Sequence, residues 1–423
     1  MLKTSVRGKT RFPYPNILVI LTDQQRPDTL GCYGSLIGRT PNIDRIAGSG
    51  TRFENAFTTF PVCTPARSSL WTGLYPHSTG IEENVTQVEN RLYRVKPKPA
   101  ILFEEIKKQG YLTGYFGKWH LGIGDPGFFD RWSGFNSTGG HWIDGRQSFQ
   151  GGTYIPEKQT DELVEFIHWC GHNAQPFLAV ISFYTPHNPY SAPERFFQRY
   201  RGRVPFAGYY AAVEALDFNI GRILDVLEQI DIVSNTLMIF TSDHGETFGY
   251  RGVPHKFVCT DDAIRVPFIV AWPGHVQTGA VRRGFIGAQD LMPTVLDCAG
   301  IDAPAGLHGR SLRPWFQGTP DVWREAYYVE NRTFRERLPQ RALRTPGHKL
   351  VLDHGGNHQL FDLTDDPEEE LNIFGAPKAD KHCRFNHYPD QSSRIRKLAE
   401  KMRCEAEILD DHFGITLTDN ILK

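Results

Sequence analysis

The chain has 423 residues and carries 47 basic against 48 acidic side chains, with the basic ones scattered along it. That length and apolar content exclude a disordered chain and predict a large α/β domain with a smaller companion, and the even charge argues against nucleic acid or an anionic membrane as partner. The seven cysteines (Cys32, Cys63, Cys170, Cys259, Cys298, Cys383 and Cys404) lie far apart with no C-x-x-C pair, which speaks against a zinc knuckle and leaves room for one or two bridges at most.

The N-terminus, MLKTSVRGKTRFPYPNILVI, has no apolar stretch of signal-peptide length before its first strand-like run. No run is long enough to span a bilayer, so the chain as written is expected to be soluble and cytoplasmic. A trimmed signal would make it periplasmic or secreted instead.

Five short apolar runs then follow in order: NILVILT (16–22), YLTGYFG (111–117), PFLAVISFY (176–184), NTLMIFTS (235–242) and RVPFIVAW (265–272). Between them lie helix-like stretches at 100–110, 157–170 and 208–230. Near-continuous apolar strands separated by helices predict an α/β fold with a large, mostly parallel (mixed) sheet sandwiched by helices. The Gly-rich stretch 121–154 shows no strand or helix pattern and is expected to be a functional loop or lid, with Trp132, His141 and Trp142 as candidates for stacking on a ligand.

Past residue 320 the runs become short: EAYYVE (325–330), QRALRT (340–345), HKLVLD (348–353) and HQLFDL (358–363), separated by PGH and HGGN turns. They predict a small antiparallel sheet, with a final helix over 391–411 packed on it and Ser392 or Ser393 as its N-cap. The expected division is a catalytic domain over 1–320 and a smaller α+β unit over 321–423.

Polar residues follow four of the strands. Asp23 and Gln24 come after the first, Lys118 and His120 after the second, His187 after the third, and Asp243 and His244 after the fourth. Open α/β sheets bind ligands beyond the carboxyl ends of their strands, so four such groups predict one shared site. Taken alone, Asp23 and Asp243 would read as helix caps, Lys118 as a solvated lysine and His120 as a structural histidine. Together, Asp23, Gln24, Asp243 and His244 form a donor set suited to a hard divalent cation such as calcium, magnesium or manganese. Cys63 does not suit such an ion, because thiolate is a soft ligand.

An oxygen in place of that sulfur removes the mismatch. CTPAR (63–67) is similar to the C-x-P-x-R core of the sulfatases, a branch of the alkaline-phosphatase superfamily in which this cysteine is oxidised to formylglycine. The flanks extend the resemblance over nearly the whole chain: NILVILTDQQRPDTLGCYG, TPNIDRIAGSGTRFENAF, SSLWTGLYPHSTGI, GYFGKWHLG, TPHNPY, TSDHGETFG, RVPFIVAWPG and HQLFDLTDDPEEELN. On these motifs the chain is identified as a member of that family.

The resemblance implies a divalent cation held by Asp23, Gln24, Asp243, His244 and the matured Cys63, with calcium first and magnesium or manganese as alternatives. It implies formylglycine made from Cys63 by a formylglycine-generating enzyme, and a small-molecule or oligosaccharide sulfate ester as substrate. One hydroxyl of the hydrated aldehyde would attack sulfur in line, with Arg67, Lys118 and Lys256 as fixed cations and His187, ahead of Lys256, as the acid protonating the leaving alcohol. Deprotonation of the second hydroxyl by His120 would then expel sulfate. The stretch around Lys256 departs from the commoner family wording, and His255 is the alternative there.

Asp23 followed by Gln24 also departs from the two consecutive aspartates of many sulfatases. Asp-Gln is familiar in phosphonate monoester hydrolases and phosphodiesterases of the same superfamily, and that activity is the alternative to sulfate ester hydrolysis. A binding protein that keeps the pocket without the modification is a third reading, against which the complete residue set weighs.

Overall fold

The computed structural model describes residues 14–85, 91–95, 98–137, 140–143, 152–250, 252–375 and 391–423. In chain order the strands are β1 (Asn16–Asp23), β2 (Thr51–Phe53), β3 (Ala56–Phe57), β4 (Leu112–Lys118), β5 (Arg131–Phe135), β6 (Phe177–Pro186), β7 (Thr236–Ser242), β8 (Phe268–Ala271), β9 (Ala280–Arg282), β10 (Ile286–Gly287), β11 (Tyr327–Arg332), β12 (Pro339–Arg344), β13 (His348–Asp353) and β14 (Gln359–Asp362). The main sheet runs β5-β4-β6-β1-β7-β8-β2-β9. Strands β4, β6, β1 and β7 are consecutive and parallel, whereas β8 is antiparallel to both its neighbours, which makes the sheet mixed as expected.

Both faces of β1 are buried, which is why its sequence is continuously apolar rather than alternating. Ile17, Val19 and Leu21 pack with Leu70 and Trp71 of helix Cys63–Thr72, Phe103 of helix Leu102–Lys108 and Leu291 of helix Leu291–Cys298. Leu18 and Ile20 face Phe166 of helix Ile155–His172 and Leu216 and Ile220 of helix Ala207–Gln229. Two helical layers thus enclose the sheet, and the carboxyl ends of its four central strands emerge side by side.

Strands β11 to β14 form a four-stranded antiparallel meander. One face packs Leu343, Leu352 and Leu360 against Leu398 and Met402 of helix Ser392–Ile408. The other packs Tyr327, Val329 and Val351 against Phe57 and Phe285 of the main body.

Three local expectations are corrected. The stretch 121–154 contains β5, which pairs with β4 along Gly114 to Lys118. Trp132 stacks on Tyr115 and Phe129 and Trp142 is buried with its indole N–H on Ser191 Oγ, so both pack the protein rather than offer a surface for a ligand. The C-terminal helix starts after Gln391, with neither Ser392 nor Ser393 at its cap, and a further helix, His412–Leu422, follows it. The six described cysteines are free thiols. No helix among the described residues is long and apolar enough to cross a membrane.

Candidate active site

Cys63 opens helix Cys63–Thr72 and is buried against the ends of β1 and β7. Its Sγ lies 3.1 Å from Lys256 Nζ, 3.2 Å from His244 Nε2 and 3.8 Å from Asp23 Oδ1. One atom each from Asp23, Cys63, Asp243 and His244 falls within 4.8 Å of the others. Residues separated by as many as 221 positions therefore share one point because β1 and β7 are parallel neighbours and the helix that Cys63 opens packs across their ends.

The backbone at this point is shaped for the site. Gln24 and His120 both adopt left-handed conformations, which carry a cost for non-glycine residues and occur where the surrounding structure imposes them. At Gly117 a Cβ would lie 2.0 Å from the Ser182 carbonyl oxygen, so only glycine lets the end of β4 come this close to β6 and carry Lys118 into the site.

Arg67, on the same helix as Cys63 and fully buried, ties the acidic groups together. Its Nε donates to Asp243 Oδ2 at 2.9 Å and one terminal nitrogen donates to Asp23 Oδ2 at 2.9 Å. The other terminal nitrogen donates to the Lys118 carbonyl at 2.6 Å and Ser182 Oγ at 2.7 Å. With these partners the guanidinium braces the carboxylates of Asp23 and Asp243. Lys118 Nζ donates to Asp23 Oδ2 at 2.6 Å and lies over the Tyr184 ring, 4.7 Å from its centre.

The electrostatics follow from this crowding. Burial raises the Cys63 thiol pKa, but the positive charges of Lys118, Lys256 and His244 outweigh it and hold the group well below its ordinary value. Burial also pushes Asp23 up, yet Lys118, His187 and Arg67 keep it below the usual carboxylate range. Burial and the neighbouring Asp23 push Asp243 up. Burial, reinforced by Lys118, lowers His120, and burial with Lys256 lowers His187 to about 4.

Neighbouring carbonyls set the imidazole tautomers, because a carbonyl only accepts. His187 Nδ1 donates to the Asn188 carbonyl at 2.6 Å, which leaves Nε2 as an acceptor for Lys256 Nζ at 3.2 Å. His244 Nδ1 donates to the Gly245 carbonyl at 2.9 Å, which turns its Nε2 toward Cys63, 3.2 Å away. With the carboxylates of Asp23 and Asp243 and the amide oxygen of Gln24, this nitrogen completes a donor set that fits a divalent cation.

The structure brings together Asp23, Gln24, Cys63, Arg67, Lys118, His187, Asp243, His244 and Lys256, and His120 joins them beside Thr64, whose Oγ1 donates to its carbonyl at 2.7 Å. Lys256, not His255, reaches the centre; His255 turns toward Glu246 and Tyr190. Sequence reading missed three supporting residues, Tyr184, Ser182 and Glu246, and expected His141 to stack on a ligand rather than to support His187. Tyr184 stacks on the His187 ring at 4.6 Å, His141 bonds the His187 carbonyl at 2.7 Å, Ser182 bonds both Arg67 and the Lys118 carbonyl, and Glu246 holds Gln24. Only Glu246 had a signal, as a charged residue inside the quoted TSDHGETFG motif.

A profile of the family described as Sulfatase matches residues 15–301, and one described as N-sulphoglucosamine sulphohydrolase, C-terminal, matches 249–387. The chain is 33% identical to an ulvan-active sulfatase of Formosa agariphila over 86% of this chain and 78% of that one. It is 26% identical to an N-acetylglucosamine-6-O-sulfatase of Bacteroides thetaiotaomicron over 85% of this chain and 83% of that one. A protein solved in complex with its substrate D-glucosamine-2-N,6-O-disulfate shares the fold, with a TM-score of 0.79 at 22% identity, covering 94% of this chain and 99% of that one.

Proposed function

The chain belongs to the sulfatase family of sulfuric ester hydrolases, and on that footing we propose that it removes sulfate from a sulfated carbohydrate in the pocket around Cys63. The observation that carries this reading is the placement of two lysines, Lys118 and Lys256, beside one buried sulfur atom, with Lys256 Nζ 3.1 Å from it. A sulfate ester is an anion, and a nucleophile that is itself negative reaches it only where fixed positive charge offsets the repulsion. The sugar assignment is supported by a relative named for an N-acetylglucosamine sulfate.

Asp23, Gln24, Asp243 and His244 would hold the divalent cation, with calcium as the ion proposed, and Cys63 would carry the formylglycine after oxidation by a formylglycine-generating enzyme. When present, the cation supplies a Lewis acid and the aldehyde a reversible covalent acceptor for sulfate. Lys118 and Lys256 balance the charge of the bound sulfate, while Arg67 keeps both ligand carboxylates in place. Lys256 holds the proton that faces Cys63 and donates it to the departing alcohol, while His187 Nε2, accepting from the same ammonium, keeps it in place. That order differs from the one expected from imidazole chemistry alone, because the lowered His187 is neutral near pH 7. His120, neutral for the same reason, is the base for the release step.

The test is release of inorganic sulfate from N-acetylglucosamine 6-sulfate, sulfated oligosaccharides and an aryl sulfate, beside a phosphonate monoester, after chelation and again after calcium, magnesium or manganese is restored. Sulfate release that disappears on chelation and returns with the ion is the expected result. Faster turnover of the phosphonate would overturn the sulfate reading, and unchanged turnover with metal shown to be absent would overturn the cation site.

A further inference from the structure

Gln24 can turn either end of its amide toward a cation, and only the oxygen binds one. In this protein the choice is made by a residue outside the donor set. Gln24 Nε2 donates to Glu246 Oε2, which leaves Gln24 Oε1 facing inward, 3.0 Å from Lys256 Nζ. Glu246 is fully buried, so its carboxylate is shielded from bulk solvent and leans on the groups packed around it. Its other partners all give it protons: Tyr190 Oη at 2.6 Å, the Phe248 backbone N–H at 2.7 Å and His255 Nδ1 at 3.2 Å.

A carboxylate that only accepts cannot tolerate the amide in its reversed orientation, because two oxygens would then meet in a buried space. The reversed amide would also point its NH2 group at the cation. Holding the amide correctly polarises it: a negative charge behind the nitrogen increases electron density on the oxygen. The charge that an aspartate at position 24 would have carried is thus present one hydrogen bond further out.

We propose that Glu246 is a positioning residue for the cation, orienting Gln24 and supplying through its amide the negative charge that Gln24 lacks. This rests on the cation site proposed above. It also links that site to the half-exposed His255 and to Tyr190, which share the same carboxylate.

The experiment is titration calorimetry of calcium into the chelator-treated full chain, on the parent, Glu246→Gln, Gln24→Glu/Glu246→Gln and Tyr190→Phe, with circular dichroism confirming that each is folded. Glu246→Gln should bind calcium about tenfold more weakly or worse. The double variant reverses the hydrogen bond, with the charge now on residue 24, and should return to within about threefold of the parent, a coupling that only interacting residues show. Tyr190→Phe removes one donor from Glu246 while leaving the Gln24–Glu246 hydrogen bond in place, and should remain within about the same threefold range.

Glu246→Gln binding as tightly as the parent would overturn the inference. So would a double variant as weak as the single one, or Tyr190→Phe as weak as Glu246→Gln, since either shows that Glu246 acts through the fold and not through Gln24. A parent chain that binds none of calcium, magnesium or manganese removes the cation site itself and this inference with it.

Discussion

Lys256 Nζ lies 3.2 Å from His187 Nε2, and the other nitrogen of that ring is held by the Asn188 carbonyl. The imidazole can therefore only accept from the lysine until it gains a second proton, and the proton nearest the reacting centre is the lysine's. If Lys256 is the acid, Lys256→Gln should lose about 100-fold or more in kcat on a sugar sulfate, whose alkoxide leaves poorly. On a nitrophenyl sulfate, whose leaving group needs no proton, the loss should be much smaller. Steady-state rates on the two esters check this, and equal losses would remove Lys256 from the acid role.

Arg67 is wholly buried between Asp23 and Asp243. Removing one partner of a buried ion pair leaves an uncompensated charge, so Arg67→Ala should destabilise the protein by about 3–5 kcal/mol. Arg67→Lys should recover little of it, because a lysine cannot reproduce the fork that reaches two carboxylates, a carbonyl and a hydroxyl at once. Urea midpoints of the three proteins measure the difference, and a wild-type midpoint for Arg67→Lys would count against the bracing role.

Cys63 lies within the tryptic peptide 53–67. Conversion of its thiol to an aldehyde lowers the mass of that peptide by about 18 Da, an oxidation for which an inert buried thiol gives no reason. Mass spectrometry of protein from its native host should find that species. Cys63→Ser should fold and lack multiple turnovers, having no second hydroxyl to expel sulfate; a serine variant cycling at the wild-type rate would show that the aldehyde is not needed.

His141 is buried behind the His187 loop, and burial lowers its pKa to about 4, against an unfolded value near 6.5. The unfolded chain therefore binds the proton first. The neutral ring contributes stability that is fully present above about pH 6.5 and is lost progressively as the pH falls toward about 4, to a limit of about 3 kcal/mol. His141→Gln, which cannot charge, should show a shallower fall in unfolding midpoint between those pH values than the parent. Parallel slopes would mean that His141 does not titrate on unfolding.

The central strands were readable because burial on both faces demands continuous apolar runs, and β1, β4, β6 and β7 each carry one. Strand β5, RWSGF, was not, since it lies at the sheet edge, is partly exposed and sits within a Gly-rich stretch. The residues gathered in the candidate site were readable for a related reason. A parallel sheet delivers the ends of its strands to one edge, so a polar pair after each apolar run marks a place as well as a type.

The sequence by itself determined which residue types stand at those strand ends, and with them the family chemistry that the motifs imply. Tertiary structure decided what each does there. Arg67 turned out to be committed to Asp23 and Asp243, His187 to accept from Lys256, and Gln24 to face inward because of Glu246, 222 positions away. A hydrogen bond has direction and a buried group has few partners, and both depend on atoms that neighbour one another only after the chain has folded.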